Sequence, residues 1–308
     1  MVDIFSSPPF YTDHVKLPTA DDPVPPQIQQ NPKFWPYFKD ALGAIDGSHI
    51  NFAAPASLRD IYRNHKGYIS QNCLFACSFG LQFLYALTGW EGSATDARLW
   101  DDAIRNDFVV PEGKYYLADA GFGACDQLLL PYRGVRYHLA EWGRANVRYV
   151  IFLLKNTKYL IKYSTHSPTN KEELFNLRHA SARNVIERIF GVLKCRFRIL
   201  IIPPAYSPEL QAKIPAALCT IHNFIWEFDS SEGKLPADNF SFGYGDTNGD
   251  GEASGGNDRS DSRRDRIASD MWRDYQRILE ERGMLDETDE DSEEELSASD
   301  EWDGEDDN

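Results

Sequence analysis

The sequence predicts an α/β domain, and three observations predict it. Two short apolar runs, residues 41–50 and 114–119, read as buried strands, and each carries an aspartate, Asp46 and Asp119, with a glycine just beyond it. Between residues 183 and 194, Ile186, Ile189, Phe190 and Leu193 recur at helical spacing, while Asn184, Glu187, Gly191 and Lys194 fall on a neighbouring stripe that can look into a cleft. The third observation is composition: 308 residues with 42% hydrophobic and 13% aromatic content hold enough apolar material for one sizeable domain or two small ones.

Residues 1–40 are proline-rich and aspartate-punctuated, and are expected to form an extended arm. A strand over 41–50 carries Asp46, and Gly47 permits close approach of another chain segment. Residues 51–71 are polar and loop-like, with a basic cluster of Arg59, Arg63, His65 and Lys66. The runs 74–79 and 81–88 suggest a hairpin turning about Gly80. A helix over 95–106 places Ala97, Trp100, Ala103 and Ile104 on one side. The strand at 114–119 ends on Asp119 and turns through residues 120–123.

Residues 149–167 are β-prone, with lysine as their only charge after the first residue, and resemble neither flank. Helical texture resumes over 170–183 and runs into the Glu187 segment. A strongly apolar helix over 214–228 belongs to the core. The Gly, Ser, Asp and Asn content of 229–262 suits a flexible linker. A helix follows over 263–284, with Ile267, Met271, Tyr275, Ile278 and Leu279 as a stripe that docks on the body or on a partner. Residues 285–308 form an acidic, disordered tail. Fourteen acidic residues from Asp286 onward account for most of the formal charge of −16, so the body is close to neutral.

The five cysteines make no CxxC pair, and their apolar neighbours suggest buried thiols in a reducing compartment. Cys73 and Cys77 lack a second ligand pair for zinc. Residues 1–26 have no apolar central run of the kind a secretory leader needs, and no apolar stretch approaches the roughly 20 residues of a bilayer span, so no membrane partner is expected.

Asp46, Asp119 and Glu187, on two strands and a helix, supply what a two-metal phosphodiesterase needs. Ions held about 3.5 to 4 Å apart require acidic oxygens arriving from separate elements. All-oxygen ligands favour Mg²⁺ or Mn²⁺ over Zn²⁺. Read singly, each aspartate fits a strand-terminating turn residue better than a metal ligand, and it is the trio with a basic helix that favours function. Arg178, Arg183, Arg188, Lys194, Arg196 and Arg198 surround Glu187 in the sequence and suit a polyanion.

At this point the chain resembles a known family. Ala44-Ile45-Asp46-Gly47-Ser48-His49-Ile50, then Tyr116-Leu117-Ala118-Asp119-Ala120-Gly121-Phe122, then the block at 176–194 centred on Arg183-Asn184-Val185-Ile186-Glu187-Arg188 are similar to the three catalytic blocks of PIF/Harbinger transposases and Harbinger-derived nucleases. Supporting blocks lie at 62–72, 92–98 and Ile221-His222-Asn223-Phe224. The resemblance covers about residues 42–226 and implies an RNase H-like mixed sheet flanked by helices. It also implies a DDE triad of Asp46, Asp119 and Glu187, two bound Mg²⁺ or Mn²⁺ ions, and hydrolysis of DNA phosphodiesters by a DDE-type endonuclease or transposase. Asp96 is a further candidate metal ligand, with a helix N-terminal acid as the alternative reading. Arg183, Arg188, Lys194, Arg63 and Lys66 are the candidate contacts to DNA phosphates.

Three departures from the family pattern are visible. Thr95 stands where the family often has histidine. Family members usually carry a helix-turn-helix region before the first catalytic block, so a separate DNA-binding partner protein is expected to supply recognition, alongside a homo-oligomer. Residues 149–167 separate two blocks that the family joins, and read as an insertion, either genuine or an intron retained in the gene model. A DNA substrate implies residence in the nucleus, with the cytoplasm as the alternative. The rival reading is a domesticated or degenerate, catalytically idle DNA-binding or scaffold protein that keeps the triad by descent.

Overall fold

The computed structural model describes residues 1–137, 147–154, 157–164, 167–229 and 258–281. Five strands make a mixed sheet: β1 (Ala41–Asn51), β2 (Ser70–Cys77), β3 (Phe83–Glu91), β4 (Tyr115–Leu117) and β5 (Leu128–Leu129). Their spatial order is β3-β2-β1-β4-β5. The β1–β2 and β2–β3 pairs are antiparallel, and β1–β4 and β4–β5 are parallel. With helices on both faces, this is the RNase H-like α/β architecture.

The period-two alternation of side chains explains the layers. From β2, Cys73, Phe75 and Cys77 enter one apolar cluster, while Leu74 and Ala76 enter the other. From β4, Tyr115 and Leu117 join the first cluster and Tyr116 the second. All eight residues of β2 are buried, as expected for a strand covered on both faces; residues 73–77 are a continuous apolar run, while Ser70, Gln71 and Asn72 are buried polar residues.

Helix α5 (Lys171–Arg196) packs Val185, Ile186, Ile189 and Leu193 into the first cluster. Helix α4 (Asp96–Asn106) closes the second cluster with Leu99, Trp100 and Ala103. It starts where expected because the Thr95 side chain accepts from the Arg98 N–H, a cap that contributes about 1 kcal/mol. The hairpin turn falls at residues 78–82, with Leu81 at φ 62°, so β3 begins at Phe83 rather than residue 81.

Helix α6 (Pro208–Phe228) begins six residues before the predicted apolar stretch, on a Ser207 cap with proline at its first position. Pro215 sits inside it. A proline there cannot donate to the carbonyl four residues earlier, which belongs to Gln211. Gln71 Nε2 donates to that carbonyl instead, at 3.0 Å, so the lost helical bond is replaced by one that ties α6 to β2.

The first 40 residues correct the expectation of an extended arm. They hold three short helices, α1 (Val2–Phe5), α2 (Phe10–His14) and α3 (Pro26–Gln29), and Ile28 and Phe38 are fully buried. These helices are too short to stand alone, so burial against the body is what holds them. Phe10 and His14 pack their rings on Phe224 of α6.

The predicted C-terminal helix, α7 (Asp258–Glu281), starts five residues before residue 263 and docks on this chain's own body. Ile267, Ala268 and Met271 are buried in the first cluster. Tyr37 and Tyr132 donate to Asp274 and Asp265, both at 2.6 Å. Ser260 donates to the Leu128 carbonyl and Arg263 to that of Asp126, which covers the sheet edge at β5.

The β-prone segment forms a two-stranded antiparallel sheet of its own, β6 (Val147–Leu154) and β7 (Thr157–Ser164), paired from Val147↔Ser164 to Leu154↔Thr157. It adds no strand to the main sheet and leaves α5 on the core. The linker over 230–257 and the acidic tail lie outside the described residues. Among the described residues, no helix is long and apolar enough to cross a membrane.

Candidate active site

The register of two parallel strands builds the site. Ala44 pairs with Leu117, so two residues further on Asp46 and Asp119 stand level with each other and on the same side of the sheet. Neighbouring strands lie about 4.8 Å apart, which brings the two carboxylates together at the C-terminal ends of β4 and of its overlap with β1. Each aspartate is oriented by backbone just ahead of it. Asp46 Oδ1 accepts from Gly47 N–H at 3.0 Å, and Asp119 Oδ1 from Gly121 N–H at 2.8 Å.

Their shared side is the one that α5 covers. One turn apart on that helix lie Arg183 and Glu187, and the Arg183 guanidinium joins the whole set. Nη2 donates to Asp46 Oδ2 at 2.8 Å and lies 3.8 Å from Asp119 Oδ2, while Nη1 donates to Glu187 Oε1 at 2.9 Å. The Arg183 side chain is 4% exposed, those of Asp46 and Asp119 are 15% and 17%, and that of Glu187 is 47%. The cluster is therefore buried on the sheet side and open on the Glu187 side.

Asp96 is the fourth carboxylate. It is the first residue of α4 and lies against Gly47, where a Cβ would stand 2.0 Å from Asp96 Oδ1. The close approach expected at Gly47 is thus an approach by a carboxylate. Asn72 Nδ2 fixes it from β2, donating to Asp96 Oδ1 at 2.8 Å and to the Ala94 carbonyl at 3.0 Å.

Burial is the largest influence on the charges of Asp46, Asp96 and Arg183. Burial pushes the Asp46 carboxyl well above its ordinary range against the pull of Arg183, and Asp119, Asp96 and Glu187 add to the push. Burial likewise raises Asp96, with the Asn72 hydrogen bond opposing it. Burial works against the charge of Arg183, but Asp46 and the other surrounding groups hold its pKa well above the usual value. Asp46 and Asp96 thus resist ionising chiefly because they are buried, beside an arginine that stays charged.

The candidate DNA contacts divide. Arg183 corrects the expectation that it faces phosphates: it is buried among the triad carboxylates. Lys194 is half-buried and donates to Ser48 Oγ at 3.1 Å, on the same side of β1 as Asp46, and burial lowers its pKa. Arg188 is half-buried, with its Nε enclosed and without a hydrogen-bond partner. Arg63 and Lys66 are exposed on the loop between β1 and β2. Asn64 roots that loop by accepting from the N–H groups of Lys66 and Tyr68, each at 3.0 Å. His65 on the loop lies close enough to favour the charged form of Asp96.

The sequence reading missed Asn72 as the residue that fixes Asp96, although it lies in one of the supporting blocks. It also missed that Arg183 belongs with the acids. The spacing of four between Arg183 and Glu187 was the available signal, since helical residues four apart face each other.

The oxygen-only donors suit hard divalent ions. In this arrangement, however, they are spaced by the guanidinium among them, and among the described residues no three acids, histidines or cysteines are grouped to hold an ion. The block at Ile221-His222-Asn223-Phe224 serves the fold. Asn223 pairs both backbone groups of Phe83, accepting from its N–H at 2.8 Å and donating to its carbonyl at 2.7 Å. His222 Nε2 donates to the Leu81 carbonyl at 2.9 Å, and its Nδ1 accepts from Arg196.

Comparison with known proteins places this chain in a lineage. Residues 45–223 match the model of a family described as DDE superfamily endonuclease, a span that holds Asp46, Asp96, Asp119 and Glu187. Curated relatives named "Putative nuclease HARBI1" are similar: the rat protein is 29% identical over 192 residues, covering 60% of this chain and 46% of the relative. The human protein is 28% identical with the same coverage, and the Xenopus laevis protein is 29% identical over 194 residues, covering 61% and 47%. The chain thus spans about half the length of these relatives. No solved structure matches it significantly.

Proposed function

The chain belongs to the DDE superfamily endonuclease family, and from that premise we propose that it is a divalent-metal-dependent DNA endonuclease that hydrolyses phosphodiester bonds at the Asp46, Asp119 and Glu187 cluster. The observation that carries this reading is the charge balance of the site. Three carboxylates from three separate elements surround one buried guanidinium, an excess of acidic groups over it that added cations would offset.

Asp46, Asp119 and Glu187, with Asp96 as a further ligand, would hold two Mg²⁺ or Mn²⁺ ions. Bound there, such ions supply an activated water as nucleophile and stabilise the leaving oxygen. The chain's own contributions are orientation and access. Backbone N–H groups of Gly47 and Gly121 aim the two aspartates, and Asn72 aims Asp96. Glu187 lies at the open side, where a phosphodiester can enter. Exposed Arg63 and Lys66, together with Arg188 and Lys194 beside Glu187 on α5, are the proposed phosphate contacts. The proposal extends to a nuclear location, to self-association, and to a separate DNA-binding partner that chooses the target.

The Arg183 ion pairs also favour a second reading, a catalytically idle descendant in which the arginine has made the acids purely structural. Purified protein incubated with supercoiled DNA separates the two. The nuclease reading expects nicking with Mg²⁺ or Mn²⁺ that EDTA abolishes, and the idle reading expects none from folded protein.

A further inference from the structure

We propose that Arg183 is a resident counter-cation that divalent ions must displace from the carboxylate cluster, so that metal binding to this chain is an exchange against a guanidinium. The inference rests on the nuclease reading for the identity of the incoming ions.

Its basis is that the same oxygens are claimed twice. Asp46 Oδ2 and Glu187 Oε1 each accept a short bond from Arg183, at 2.8 and 2.9 Å, and Asp119 Oδ2 is 3.8 Å from the same nitrogen that holds Asp46. A Mg²⁺ ligand must come to about 2.0 to 2.1 Å of the ion. Two cations cannot share those lone pairs at that distance in a buried site without strong repulsion. The guanidinium cannot yield by losing its proton, because arginine stays protonated in proteins. It must leave by movement.

Arg183 is built to do so. Its Nε is buried and has no hydrogen-bond partner, so among the described residues the hydrogen bonds that fix the side chain run through its two terminal nitrogens. Its Glu187 partner lies one helical turn away on the same element and is half exposed, which leaves a path toward solvent. The acids therefore keep their arrangement without ions, and ion affinity is lowered by whatever is needed to detach Arg183.

Mn²⁺ titrations followed by electron paramagnetic resonance of the free ion, with thermal melts in parallel, test this on the full chain as wild type, Arg183→Met, Arg183→Lys and Asp119→Asn. Breaking a charge-assisted pair should tighten Mn²⁺ binding by at least about tenfold in Arg183→Met, with Arg183→Lys between it and wild type. Arg183→Met should also melt lower than wild type without Mn²⁺ and gain more on its addition, and a variant that folds only with Mn²⁺ would support the exchange equally. Equal or weaker Mn²⁺ binding by either arginine variant would overturn it. So would an Arg183→Met chain that stays unfolded with Mn²⁺ while Arg183→Lys binds as wild type does. If wild type binds Mn²⁺ no better than Asp119→Asn, the nuclease reading itself fails; if Asp119→Asn loses binding and the arginine variants match wild type, only the exchange fails.

Discussion

Two polar regions of this molecule look alike in the sequence and behave oppositely in the structure. At the end of α6, His222 and Asn223 place their side-chain groups on the backbone of the β2–β3 turn, and Gln211 does the same for Ala53, accepting from its N–H at 2.8 Å and donating to its carbonyl at 3.1 Å. These amides act as surrogate strand partners. At the end of β4, Asp46, Asp119 and Glu187 share one arginine, three acids to one guanidinium, with Asp96 against Gly47 beside them. Completeness of pairing separates a residue kept for the fold from one kept for chemistry.

The comparison is broken or sharpened by substitution on each side. The largest effect belongs to Asp119→Ala, expected to reduce metal-dependent nicking on the order of 1,000-fold while the chain still melts cooperatively. Asn223→Ala should do the reverse. It strands the Phe83 N–H and carbonyl and the His14 carbonyl, so denaturant unfolding should show a loss of about 3 kcal/mol, with nicking per folded molecule unchanged. Gly47→Ala tests the boundary between the regions. Its new methyl must push the Asp96 carboxylate away, so nicking should fall about 100-fold with little change in melting temperature.

Per pH unit, the smallest effect is on pH dependence. Burial first, and Arg196 in addition, lower the His222 pKa from 6.5 to about 4, and burial lowers that of His179 to about 3. A histidine depressed in the folded state takes up its proton more readily when unfolded. Stability is therefore complete above about pH 6.5 and declines as pH falls toward 4, by about 1.4 kcal/mol per unit for each histidine. His222→Gln, which can still donate to the Leu81 carbonyl, should flatten part of that slope in urea titrations at several pH values. An unchanged slope would mean that His222 is not held neutral.

Much of this was legible in the sequence because strand ends and helical stripes are local. The apolar runs around Asp46 and Asp119 and the face containing Ile186, Ile189, Phe190 and Leu193 follow from periodicity, and their apolar residues are buried except Leu42 and Phe190, which are partly so. The short helices before β1 were not legible, since residues such as Ile28 and Phe38 gain order only by burial against distant elements. Nor was the role of Arg183. A basic residue among basic neighbours reads as surface, and only the parallel register of β1 and β4 brings the two aspartates to it. Asp96 against Gly47 is likewise a tertiary contact between a helix start and a strand.

The most direct test is Asp46→Asn, with thermal melting and DNA nicking measured on one preparation. Asparagine keeps one acceptor oxygen, which can serve Arg183 or the Gly47 N–H, while removing one of the crowded charges. Melting at or above the wild-type temperature, with nicking abolished, is the predicted result for a carboxylate held for chemistry against its own stability. A melting temperature several degrees lower with nicking intact would contradict the account and return Asp46 to the fold.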